Sequence, residues 1–96
     1  MNNMRPIPPG EHLREEMAEL ALSARALAAA LGVPTNRVTG VLNGTRAITA
    51  DTALRLARYF GTTPEFWLNL QQAYDLRRIR RTFGKRIERQ VRQRAA

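Results

Sequence analysis

Cysteine is absent from the 96-residue chain. That excludes a disulfide framework, thiolate zinc fingers and thiol catalysis. No apolar run approaches the length of a membrane span, and the N-terminus lacks the hydrophobic segment of a signal peptide. The expectation is one soluble, cytoplasmic domain without a membrane partner, large enough for a modest core unaided by metal. Histidine occurs once, as His12, and nothing near it in sequence offers a second ligand or a nucleophile. A paired acid and base, a metal-ligand cluster and a phosphate-cradling glycine loop are missing as well. The chain is therefore not expected to be an enzyme, and no cofactor is implied.

Charge is abundant but lopsided. Residues 1–75 contain seven basic and seven acidic residues, whereas residues 76–96 contain nine basic residues and one acid, Glu88. The whole net charge of +8 thus sits in the tail. Such a balance favours polyanionic partners without implying sequence recognition.

The organising stretch is residues 23–44, SARALAAALGVPTNRVTGVLNG. Ser23 is a good helix N-cap, and Leu27, Ala28 and Leu31 share one helical face. Gly32 supplies a left-handed C-cap, after which Val33-Pro34 opens a second short helix. Two short helices joined by a tight glycine-containing turn make a helix-turn-helix signature, the bland alternative being an ordinary helical hairpin. Ala28 is small where the helices must cross. Val38 and Val41 face the core, and Thr35, Asn36, Arg37, Thr39 and Asn43 point outward.

The remaining chain reads as support. Met1–Pro9 is an extended lead-in, and a first helix runs from about Pro9-Gly10 to Leu20. Its Leu13, Met17 and Leu20 form a buried stripe opposite Glu11, Glu15, Glu16 and Glu19. Ile48 anchors a loop, Thr49 caps a fourth helix, and Asp51 sits in its first turn. Ala53, Leu56, Ala57 and Phe60 face inward before Gly61 ends that helix. Thr63-Pro64-Glu65 then opens a fifth helix carrying Phe66, Trp67, Leu70 and Tyr74. These four are too much apolar surface for a last helix, and part of it is expected to bury against a second copy of the chain. An apolar stripe of Leu76, Ile79, Phe83, Ile87 and Val91 continues through the arginines. Gly84 weakens it by about 1 kcal/mol. Ordered helix is expected to about Phe83, with residues 1–76 as the domain and 77–96 as an arginine-rich extension.

An all-α, five-helix chain with this motif resembles the Xre-type, lambda-repressor-like DNA-binding domains. Within them it resembles the HigA family of antitoxins. The likeness lies in Pro6-Ile7-Pro8-Pro9-Gly10-Glu11 with Leu13-Arg14-Glu15-Glu16, in residues 43–57 (NGTRAITADTALRLA) and in residues 61–71 (GTTPEFWLNLQ). It implies a homodimeric autorepressor that also neutralises a co-encoded RNA-cleaving toxin. Gly40 departs from the longer polar side chain expected on the recognition helix, and the arginine-rich tail is not a family hallmark. A helix-turn-helix regulator without a toxin is the alternative, and an RNA-binding or enzymatic protein is a third reading.

In such a motif the start of the second helix enters the major groove. Thr35, Asn36, Arg37 and Thr39 are then base-side candidates, with Asn suited to adenine and Arg to guanine. Asn43 completes the outward face. Ser23 and Thr49 mark helix N-termini able to bind phosphate, and Arg46 is a candidate phosphate clamp. RNA-cleaving toxins are expected to be basic where they hold their substrate, which makes Glu11, Glu15, Glu16 and Glu19 the candidate toxin dock.

Overall fold

The structure, a computed structural model, describes residues 5–95. Of the lead-in, Met1–Met4 lie outside the described residues, and residues 5–8 are non-helical. Five helices follow: α1 (Pro9–Glu19), α2 (Ala24–Leu31), α3 (Thr35–Asn43), α4 (Ala50–Phe60) and α5 (Pro64–Gln90). No strand occurs among the described residues.

Local chemistry sets most of the boundaries. Ser23 Oγ accepts from the Ala26 N–H at 3.1 Å, and Thr63 Oγ1 accepts from the Phe66 N–H at 3.1 Å. Gly32, Gly44 and Gly61 hold the left-handed conformation that closes α2, α3 and α4. The end of α1 closes in the same way on a residue without that freedom. Ala21 adopts φ +54°, and the Leu22 N–H reaches back to the Met17 carbonyl at 2.9 Å. Leu20, expected in the buried stripe, is instead 54% exposed because the chain turns away there.

The core is built from Leu13, Leu27, Leu56 and Trp67, each at most 1% exposed. Around them pack Met17, Ala28, Leu31, Val38, Val41, Ile48, Ala53 and Ala57. Trp67 enters from α5, where its ring lies 5.8 Å from Phe60 and 5.1 Å from Phe66. Its indole Nε1 donates to Thr62 Oγ1 at 2.8 Å, which satisfies the one polar atom it buries.

A close approach joins α1 to α3. A Cβ on Gly10 would lie 2.4 Å from the Val41 carbonyl oxygen and 2.9 Å from that of Leu42. The start of α1 therefore rests directly on the last turn of α3, backbone against backbone.

α5 passes residue 76 without interruption and reaches Gln90, well beyond Phe83. Gly84 does not stop it. A helix already nucleated and anchored by Trp67 elongates one residue at a time, and one glycine costs only about 1 kcal/mol. The molecule is drawn out to 52 × 26 × 23 Å as a result.

Candidate nucleic-acid interface

The second helix of the motif, α3, is held from behind by buried Val38 and Val41, while Thr35, Asn36 and Asn43 are exposed. Thr39 is half-buried. The start of α3 thus offers Thr35 and Asn36 to solvent on a rigid support. Sites of direct base readout need that rigidity.

Arg37 is placed differently from its sequence reading. Its Nη1 donates to Asp51 Oδ1 at 2.7 Å, and Arg55 Nε donates to the same oxygen at 2.8 Å. Arg55 Nη1 also donates to the Leu31 carbonyl at 2.9 Å, at the end of α2. One carboxylate on α4 therefore ties α3 to α4, and Arg55 ties α4 to α2. In this structure Arg37 is thus paired with Asp51 and links α3 to α4. The Arg55 hydrogen bond first, and that from Arg37 second, hold the Asp51 carboxyl below the ordinary carboxylate range. A depressed folded-state value means the tie persists above the unfolded-state value and loosens as pH falls through the folded one.

Gly40 is buried, and its missing side chain is explained by Arg46. A Cβ there would lie 2.9 Å from Arg46 Cβ and 3.3 Å from its Nε. The Arg46 stem runs over the glycine, so the space above Gly40 is filled from within the protein. The Gly40 carbonyl accepts from the N–H groups of Thr45 and Arg46 at 2.9 and 3.1 Å, which sets the loop that presents Arg46. Ser23 and Thr49 each use their hydroxyl oxygen as a cap, on Ala26 and Thr52 respectively.

The other candidate residues separate. Trp67 is fully buried in its own domain and has no surface to give a second copy, which removes it from the dimerisation set. Phe66 is 43% exposed, and Leu70 and Tyr74 are half-buried. More apolar surface stands farther along α5, on Leu76 (50%), Phe83 (40%) and Ile87 (45%). Leu76 is nine residues on from Trp67, half a turn round the helix, so this stripe faces away from the core. Glu15, Glu16 and Glu19 are exposed, whereas Glu11 pairs with Arg5 at 2.9 Å.

An exposed second helix, crossed from behind by a short capped first helix and buttressed by three more, is a helix-turn-helix module. The sequence profile described as "Helix-turn-helix" matches residues 13–67. Antitoxin HigA-1 of Vibrio cholerae is 47% identical over 73 residues, covering 75% of this chain and 69% of that one. Among solved structures, an addiction module antidote protein of the HigA family from Coxiella burnetii is 61% identical, with a TM-score of 0.91. That match covers 95% of this chain and 100% of the other. Antitoxin GraA in complex with its operator is 50% identical, with a TM-score of 0.90 over 100% and 98% of the two chains. The chain belongs to the helix-turn-helix family and, within it, to the HigA antitoxins.

Proposed function

We propose that this chain is a cytoplasmic, non-enzymatic antitoxin that represses its own operon and neutralises an RNA-cleaving toxin encoded beside it. The observation that carries the reading is the rigid, exposed start of α3 in a chain similar along its length to an antitoxin solved on its operator. Asn36 reads adenine in the major groove, the Thr35 methyl packs on thymine, and Arg46 holds a phosphate. A second copy covers Leu76, Phe83 and Ile87, which sets two recognition helices on one face of a duplex.

The test is selection of duplexes from a random library by the full chain. The enriched site is expected to hold two half-sites about one helical turn apart. A single half-site would remove the dimer, and no enrichment would remove DNA recognition altogether. Asn36→Ala is expected to relax preference at one base pair per half-site, at a cost of about 1–3 kcal/mol. An unchanged ranking of site variants would exclude Asn36 as a base reader.

The toxin docks on the acidic face of α1, at Glu15, Glu16 and Glu19, leaving α3 free. Reversing Glu15 and Glu19 to Lys is expected to weaken capture of the protein encoded next to this chain, through slower and more salt-sensitive association. Operator binding should be retained. Unchanged affinity by calorimetry would leave these acids as a solvated face.

A further inference from the structure

Charge and recognition lie in different parts of this chain. Duplex DNA carries one negative charge per about 1.7 Å of its axis, and binding it draws on arginines and lysines at the interface. Residues 1–75 have no net charge to offer. Three of their seven arginines are already paired internally, Arg5 with Glu11, and Arg37 and Arg55 with Asp51. The helix-turn-helix therefore has side chains to read bases and little with which to hold a polyanion.

Part of the missing charge stands on one flank of α5. Gln71 marks that flank, because its Oε1 accepts from the Ile48 N–H at 2.8 Å in the loop between α3 and α4. Its Nε2 donates onward to Asp75 Oδ1 at 3.0 Å. Counting from Gln71, Arg78, Lys85 and Arg89 follow after about two, four and five whole turns, so they form a row on the same side of the helix. Arg78 lines one cleft together with Thr45 and Arg46, which puts the start of the row beside the loop that follows the recognition helix. Arg78 is loosely matched with Asp75 at 4.0 Å, while Lys85 and Arg89 are exposed and form no ion pair among the described residues. The row is about 16 Å long at 1.5 Å per residue. The apolar stripe of Leu76, Phe83 and Ile87 runs along the opposite flank and leaves it unobstructed.

We propose that Arg78, Lys85 and Arg89 form a phosphate track for the duplex flanking each half-site, continuing the contact begun by Arg46. The distal half of α5 supplies the sequence-independent part of DNA affinity, and α3 supplies the base reading. This rests on the DNA-binding reading above and adds to it where the attraction resides. An acidic protein on the same row is the competing occupant. Duplex DNA is favoured because the row begins at the loop presenting Arg46 and makes good the lack of charge in the reading module.

Two double variants of the full chain test it. K85Q/R89Q removes two charges from the row, and R77Q/R80Q removes two from other sides of the same helix. Glutamine has nearly the helix propensity of lysine and arginine, so α5 keeps its form, which circular dichroism checks. Binding is measured on the selected duplex and on a scrambled duplex of equal length, from about 50 to 200 mM salt. For K85Q/R89Q the slope of log K against log salt should flatten by about 0.9 for each phosphate no longer neutralised, while R77Q/R80Q stays near the parent. Affinity for both duplexes should fall by the same factor, leaving their ratio unchanged. Equal flattening in the two variants would overturn the track in favour of diffuse attraction. An unchanged slope in K85Q/R89Q, with normal site binding, would overturn it in favour of another occupant. Failure of the parent chain to bind either duplex would instead overturn the DNA-binding reading, and the track with it.

Discussion

Trp67→Ala is expected to lower stability by about 3–5 kcal/mol, the usual range for emptying a fully buried aromatic site. Domains of this size are stable by only about 5–15 kcal/mol, so the variant should unfold at a much lower urea concentration. The reason lies in where the side chain sits. Trp67 is 0% exposed, touches Phe60 and Phe66 in ring contact, and donates its indole hydrogen to Thr62. It fastens α5 to α4 and closes the bottom of the core. Its neighbour Phe66, 43% exposed, is the internal comparison. Phe66→Ala should cost far less in an isolated chain. Equal losses for the two variants in equilibrium denaturation would contradict this account of the core.

Gly10→Ala should destabilise by about 1–3 kcal/mol or more, because it inserts a methyl group where no rotamer can relieve the clash. The obstructing atoms are the carbonyl oxygens of Val41 and Leu42, at 2.4 and 2.9 Å, and they belong to the last turn of α3. Backbone cannot swing aside as a flexible side chain can. The start of α1 must move, or α3 must, and α3 carries the residues proposed to read bases. Loss of site binding should therefore exceed what the unfolded fraction explains. Gly84→Ala provides the opposite sign. Only Arg80 Cγ at 3.9 Å is near a Cβ there, so the substitution should stabilise α5 by up to about 1 kcal/mol. Denaturation curves showing the same direction for both would refute this reading of the two glycines.

The helices were legible because their ends are written in local chemistry. Ser23, Thr49 and Thr63 cap from the side chain, and glycines stand where the left-handed turn is needed. The core faces followed from spacing, as Leu13 with Met17 and Val38 with Val41 show. Ala21 was not legible, since nothing about alanine marks a positive φ. The fate of Arg37 was hidden for a different reason. Its partner Asp51 is fourteen residues away, and whether the two meet depends on the angle between α3 and α4, which no local pattern encodes. Trp67 could be placed on α5 from sequence, but a periodic stripe does not distinguish burial in the same chain from burial in a copy. The order of α5 past Phe83 depended on cooperativity with an anchored helix, which a residue-by-residue propensity does not capture.

If Arg46 holds a phosphate as proposed, its packing on Gly40 bears on the rate at which a complex with DNA dissociates. An arginine that grips a phosphate loses rotamer freedom worth up to about 2 kcal/mol, and a loop-borne arginine usually loses it on binding. Here the stem already lies along Gly40, within 2.9 Å of where a Cβ would be, so part of that freedom was surrendered when the chain folded. On the proposed reading of Arg46 as a phosphate clamp, less side-chain entropy would then be lost in the encounter. A pre-ordered side chain also has fewer alternative rotamers into which to let go. A larger residue at position 40 would lift the stem, leave the charge count untouched and shorten the lifetime of the complex.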